Sequence, residues 1–138
     1  MTEKQEKVQE ETVNEEPKFV GVKEAPKYDY NQHIGKKVQV ADCEMQKGEF
    51  GHFILVSTVP IDKFTNNEKE EVEIRATRIL GLATDEEGNV YVPKDYKADI
   101  FLRSMGIENG DYLSLIGKEV IVQKLVKKDK EFLTLEKA

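Results

Sequence analysis

A mainly β fold with one helix is what the pattern of this 138-residue chain predicts, and three observations carry the prediction. Apolar residues alternate with polar ones over short stretches, as at Val38 and Val40 and again at Val72, Ile74 and Ala76. That two-residue period is the mark of a half-buried strand. Turn-forming residues separate these stretches at hairpin spacing. Only one segment, around Ala98, Phe101, Leu102 and Met105, repeats its apolar residues at helical spacing.

Residues 1–30 hold eight acids and five lysines, few apolar side chains, and prolines at Pro17 and Pro26. Such a composition buries too little surface to offset its ordering entropy. A disordered acidic N-terminal tail is therefore expected over 1–30, ahead of one domain over 31–138. Phe19, Val20, Val22, Tyr28 and Tyr30 are the residues of the tail able to pin it against that domain.

Lys37 to Met45 and the dense β-forming run Phe50 to Val59 are expected to pair about a turn at Lys47-Gly48. Asp62 to Glu71, polar and centred on Asn66-Asn67, reads as a loop. Val72 to Leu82 reads as a third strand, with Val72, Ile74 and Ala76 on one face and Glu73, Arg75 and Thr77 on the other. Asp85 to Asn89 supplies the turn of an extra short hairpin over 83–92. Pro93 ends it, Asp95 is placed to cap the helix, and Gly106 is placed to close it. After a turn at Asn109-Gly110, a last hairpin pairs Val120–Val126 with Glu131–Leu135 across Lys127–Lys130.

The two long hairpins echo each other 82 residues apart: Ile34-Gly35-Lys36 with Ile116-Gly117-Lys118, Val38 and Val40 with Val120 and Val122, Glu49-Phe50 with Glu131-Phe132. Seven of 17 aligned positions are identical. With turns at Lys47-Gly48 and Lys128-Asp129, cross-strand pairing puts Val38, Val40, Leu55, Val122 and Leu135 inside. It puts Cys43, Met45, Phe50 and His52 outside, together with Gln123, Leu125, Phe132 and Thr134. A β-bulge in the first strand would reverse part of that assignment.

Three strands, one helix and two strands, with one short hairpin inserted, resemble the OB-fold proteins that bind single-stranded nucleic acid. Their fold is a five-stranded Greek-key barrel with one helix between strands 3 and 4. The resemblance covers residues 34–136 and rests on element order, without a diagnostic motif. It implies a non-enzymatic protein of replication, repair or transcription, with single-stranded DNA ahead of RNA because no residue addresses a 2′-hydroxyl. It also implies a binding face built from Lys47, Phe50, His52 and Phe53, from Arg75 and Arg78, and from Lys124, Lys127, Lys128, Lys130 and Phe132. Aromatic rings stack bases and cations follow phosphates, and Arg adds bidentate contacts.

The net charge of −6 opposes generic polyanion binding, but the last hairpin sets four lysines against two acids between 124 and 132. Duller readings stand beside the binding one. Phe50 and Phe132 could close the barrel, Arg75 and Arg78 could pair with Glu71 or Glu73, and the lysines could guard a sheet edge. The competing function is a protein-interaction or assembly module, with the acidic tail and its Phe19 and Val20 recruiting a protein partner. Alternatively, the tail folds back over the cationic face.

Other classes find no residues to support them. One cysteine, Cys43, cannot form an internal disulfide, and MTEKQEKVQEET lacks a secretory apolar segment, so a cytoplasmic location is expected. No apolar run is long enough for a membrane helix. A Cys43–His52 pair lacks an orienting group for catalysis. One Cys and two His fall short of zinc ligand sets, and no phosphate-binding glycine motif is present, so neither metal nor cofactor is expected.

Overall fold

The computed structural model describes residues 16–25 and 27–138. It is mainly β, with antiparallel sheets and one α-helix. The strands are β1 (Lys37–Gly48), β2 (Gly51–Thr58), β3 (Asp62–Thr65), β4 (Glu71–Ile74), β5 (Thr77–Gly81), β6 (Ala83–Thr84), β7 (Val90–Tyr91), β8 (Glu119–Lys127) and β9 (Lys130–Lys137). The helix α1 (Lys97–Ser104) follows β7, and short 3-10 turns at Tyr30–His33 and Tyr112–Leu115 precede β1 and β8.

Five strands form the principal sheet in the order β5-β2-β1-β8-β9, while β3–β4 and β6–β7 are separate two-stranded ribbons. The margins β5 and β9 share no ladder. Between them, Arg78 Nη1 donates to the Leu135 carbonyl at 3.0 Å, and its guanidinium lies 4.3 Å from the centre of the Phe101 ring. The core gathers Val40, Cys43, Ile54, Val56 and Leu80 with Phe101 and Leu102 of the helix and Val120, Val122, Leu133 and Leu135 of the last hairpin.

The 82-residue echo is a physical repeat. Gly35 N–H donates to Val122 O at 2.8 Å and Val122 N–H to Lys36 O at 2.9 Å. Gly117 N–H donates to Val40 O at 2.8 Å and Val40 N–H to Lys118 O at 2.9 Å. Between these two exchanges, Val38 pairs with its own counterpart Val120, so a local pseudo-two-fold axis runs through the β1–β8 pair. Gly35 and Gly117 sit at φ of 89° and 91°, a left-handed conformation in which a side chain is strained.

Several expectations from the sequence are corrected. The first hairpin turns at Glu49-Phe50, not at Lys47-Gly48, because Gly48 still pairs with Gly51. Gly51 takes the left-handed φ of 122°, and Gly48 is needed for space: a Cβ there would lie 2.9 Å from the Phe53 ring. A register shift between Val40 and Asp42 marks a bulge, so Val40 and Cys43 both point inward. Cys43 therefore faces Val56 and not His52, and burial, helped by the Asp42 charge, pushes its thiol up to about 11.

The expected loop at Asp62–Glu71 is instead the β3–β4 ribbon, closed by Asn66, whose side-chain oxygen accepts from the amides of Glu68 and Glu70. The expected strand Val72–Leu82 breaks at Arg75-Ala76, where the buried Thr58 hydroxyl accepts from the Ala76 amide. The helix is not capped by Asp95. Asp99 reaches back to accept from the Asp95 amide at 2.7 Å, and Gly106, at φ of 80°, closes the other end.

Of the tail, residues 1–15 and Pro26 lie outside the described residues, and 16–25 carry no helix or strand. Tyr28 and Tyr30 pack against the body. Tyr28 stacks on Phe64, its hydroxyl donates to Asp62 Oδ2 at 2.5 Å, and it also meets Nε2 of the buried His33 at 2.5 Å. Lys36 Nζ lies 3.0 Å from His33 Nδ1. The equivalent of His33 in the repeat is Leu115, fully buried.

Candidate nucleic-acid interface

The residues singled out in the sequence scatter over three places. The topology explains the scatter. Only Lys37–Gln39 of β1 pairs with β8, against Ile121–Glu119, and the pair is antiparallel. The two hairpin tips therefore run away from that junction in opposite directions. Lys47 and Phe50 stand at one tip, Lys127, Lys128 and Lys130 at the other.

At the first tip, Phe50 occupies the turn with 98% of its surface exposed. Lys47 pairs with His52, in phase with the inward residues Ile54 and Val56, whereas Phe53 points to the opposite face beside Gln46 and Gly81. Glu49 follows Lys47 in the turn, and no other Lys or Arg stands between Ala41 and Phe53, so this tip lacks a cationic surplus.

The two arginines are engaged. Arg75 donates to Glu73 Oε1 at 2.8 Å and to the Thr58 carbonyl at 3.0 Å, and this bond holds the Glu73 carboxyl below its ordinary range. Arg78 follows the inward phase of Leu80. Desolvation lowers its affinity for the proton, with Glu136 opposing the shift. An arginine over Phe101 and bonded to a strand carbonyl braces the sheet margins and is not free to meet a phosphate.

The last hairpin is where the expected chemistry comes together. Its register pairs Lys127 with Lys130, Leu125 with Phe132, Gln123 with Thr134 and Val122 with Leu135, about the turn Lys128-Asp129. Both turn residues are left-handed, at φ of 49° and 66°, the two-residue geometry that matches strand twist. Since partners share a face, Lys127, Lys130, Leu125, Phe132, Gln123 and Thr134 make one outer surface with Lys128 at its end. Phe132 is half-buried on this surface, opposite Leu125. Lys124 departs from the expected set: it lies in the inward phase opposite Leu133, with its ammonium 3.7 Å from Glu131.

Gln123 and Thr134 add hydrogen-bonding groups to this surface, and Leu125 adds an apolar one. All three were readable from the hairpin register once its turn was placed. A concavity of about 990 Å³ lies elsewhere, between Met45, Ile54, Leu82, Val92, Arg103 and Tyr112, and includes none of the expected residues. Of its two lining cations, Lys94 and Arg103, Arg103 is neutralised by Asp95 and Asp99 at 2.9 and 3.2 Å. No helix among the described residues is long and apolar enough to cross a membrane. No family model matches the chain, and neither a curated protein nor a solved structure matches it.

Proposed function

We propose that this protein binds single-stranded nucleic acid without catalysing a reaction, through the outer face of the β8–β9 hairpin. One observation carries the reading: Lys127 and Lys130 flank Leu125 and Phe132 on a single strand face, with Gln123 and Thr134 beyond. An aromatic ring offers a flat surface for a base, and stacking of that kind contributes roughly 1–3 kcal/mol. The lysines take the flanking phosphates and release counterions.

The fold supports the same reading. The order β5-β2-β1-β8-β9, a bulged first strand serving both halves, and α1 falling in sequence between β5 and β8 fit an OB-like barrel. Its margins are bridged by Arg78 in place of a ladder. DNA stands ahead of RNA as ligand, and replication, repair or transcription as the setting.

Fluorescence anisotropy with labelled single- and double-stranded oligonucleotides across a salt series tests the proposal. Binding of the single strand at low salt, weakened by Phe132→Ala, supports it. Absence of binding by the full-length protein at low salt overturns it.

A second reading, a protein-assembly module, is favoured by the outer face of β1, β2 and β5. Leu55 and Ile79 pair there in one row with Glu44, next to Asp42.

A further inference from the structure

Cross-strand pairing arranges that outer face as three rows: Gln46–Phe53–Gly81, Glu44–Leu55–Ile79 and Asp42–Ser57–Thr77. Its centre is apolar, with Ile79 64% exposed and Leu55 and Phe53 partly buried. One border is acidic, at Asp42 and Glu44. The other is β5, a sheet margin with no further ladder partner. Gly81 leaves a shallow gap beside Phe53, because a Cβ at that position would touch nothing within 4 Å. Exposed apolar surface on a sheet face is a docking site in search of an occupant.

The chain carries a segment of matching chemistry. Lys18-Phe19-Val20-Gly21-Val22-Lys23 places three apolar side chains between two lysines. Phe19 and Val22 are 90% and 102% exposed, and neither joins the hydrophobic cluster that takes in Tyr28 and Tyr30. The segment is thus apolar where the face is apolar, and its two lysines, with Glu16 and Glu24 outside them, match the acids at the border of the face. It stands off its own body while the chain following it is fastened at Tyr28 by Asp62 and Phe64.

We infer that Lys18–Lys23 of one copy docks on the β1–β2–β5 face of a second copy, and that the exchange is mutual. Each copy supplies one segment and one face, so a pair closes on itself about a two-fold axis and leaves no site open. The second contact of such a pair forms at high effective concentration, which lets two modest contacts hold a dimer. Phe19, Val20 and Val22 leave water on docking, and the lysines meet Asp42 and Glu44 at the border, where salt screens them. The surface is separate from Lys127, Lys130 and Phe132, so this inference stands or falls independently of nucleic-acid binding.

Sedimentation velocity of the full-length protein over a concentration series at low salt is the test. Wild type is expected to pass from monomer to dimer. Ile79→Glu and the double variant Phe19→Ser/Val22→Ser, each shown folded by circular dichroism, are expected to weaken self-association by about tenfold or more. Lys18→Glu/Lys23→Glu should weaken it as well, and adding Asp42→Lys/Glu44→Lys to that variant should restore it. A wild type that stays monomeric throughout overturns the inference, as does a dimer that Ile79→Glu leaves intact. A monomer whose Lys18 and Lys23 resist trypsin until Ile79→Glu exposes them also overturns it, by showing the segment seated on its own chain.

Discussion

The β1–β2 and β8–β9 hairpins begin alike and end differently. Both start from an Ile-Gly-Lys corner, both bury the same valines, Val40 and Val122, and both tie that corner to the other with the same pair of backbone hydrogen bonds. Beyond Val40 they diverge. The last hairpin keeps a regular register to its Lys128-Asp129 turn, so Leu125 falls outside, 39% exposed. The first inserts a bulge, and Cys43, the counterpart of Leu125, falls inside at 5%. Glu49-Phe50 becomes a turn where Glu131-Phe132 remains strand. One inserted residue thus changes which face each later side chain occupies, because the side-chain period along a strand is two.

The largest expected effect contrasts the two tips. Replacing Lys127, Lys128 and Lys130 with Glu should abolish single-strand binding at moderate salt, since it reverses the charge of the one cationic hairpin end among the described residues. The milder Lys→Ala triple variant should lower the salt dependence by about two counterions, at ~0.7 per phosphate contact. Lys47→Glu at the first tip should change neither quantity. Anisotropy titrations of the three proteins at several salt concentrations measure this.

Fully buried positions of the two hairpins should cost alike. Leu135→Ala and Ile54→Ala, both fully buried, should each lose about 2–5 kcal/mol in urea denaturation. Counterparts that the bulge puts on different faces should separate. Cys43→Ser should cost about 1–3 kcal/mol by burying a hydroxyl without a partner, whereas Leu125→Ser should stay within about 0.5 kcal/mol. Equal costs at Cys43 and Leu125 would mean that the bulge does not set the two faces apart.

The two phenylalanines should behave oppositely to their shared sequence context. Phe132→Ala is expected to weaken nucleic-acid binding by roughly tenfold or more through lost stacking, while Phe50→Ala leaves affinity and stability near wild type. A loss of folding in Phe50→Ala would show that the ring packs, against its 98% exposure.

The smallest effect concerns the latch absent from the second half of the repeat. The Tyr28 hydroxyl, followed by the Lys63 amide, holds the Asp62 carboxyl below its ordinary range. A lowered carboxyl contributes stability above its unfolded value of about 3.9, and that contribution fades as pH falls through the lower folded value. Tyr28→Phe should therefore lower the melting temperature at neutral pH and leave a flatter acid limb than wild type. Thermal melts from pH 7 down to pH 2 compare the two limbs.

The last hairpin was legible because nothing interrupts it: alternation, turn residues and charge all point to one register, and the register places Lys127, Lys130 and Phe132 together. The first was misread at Lys47-Gly48 because two glycines flank the turn and serve different ends. Gly51 supplies the left-handed φ, while Gly48 makes room for Phe53. That distinction is a contact between residues on different strands and has no local signature. Arg78 is open to the same difficulty, since its partners Phe101 and Leu135 are far away in the chain, whereas the pairing of Arg75 with Glu73 is a local one that the sequence offers.

The amino-acid sequence by itself determined the mainly β class, the helix at Phe101 and Leu102, the inserted short hairpin, and the repeat of the Ile-Gly-Lys corners. Each of these depends on local periodicity or on a backbone angle that a single residue type permits. Only the tertiary structure decided which way Cys43 and Arg78 face, that Asp62–Thr65 pairs with Glu71–Ile74, and that the two hairpin tips diverge. Those outcomes depend on strand register and on partners far away in the chain, where a shift of one residue exchanges inside for outside.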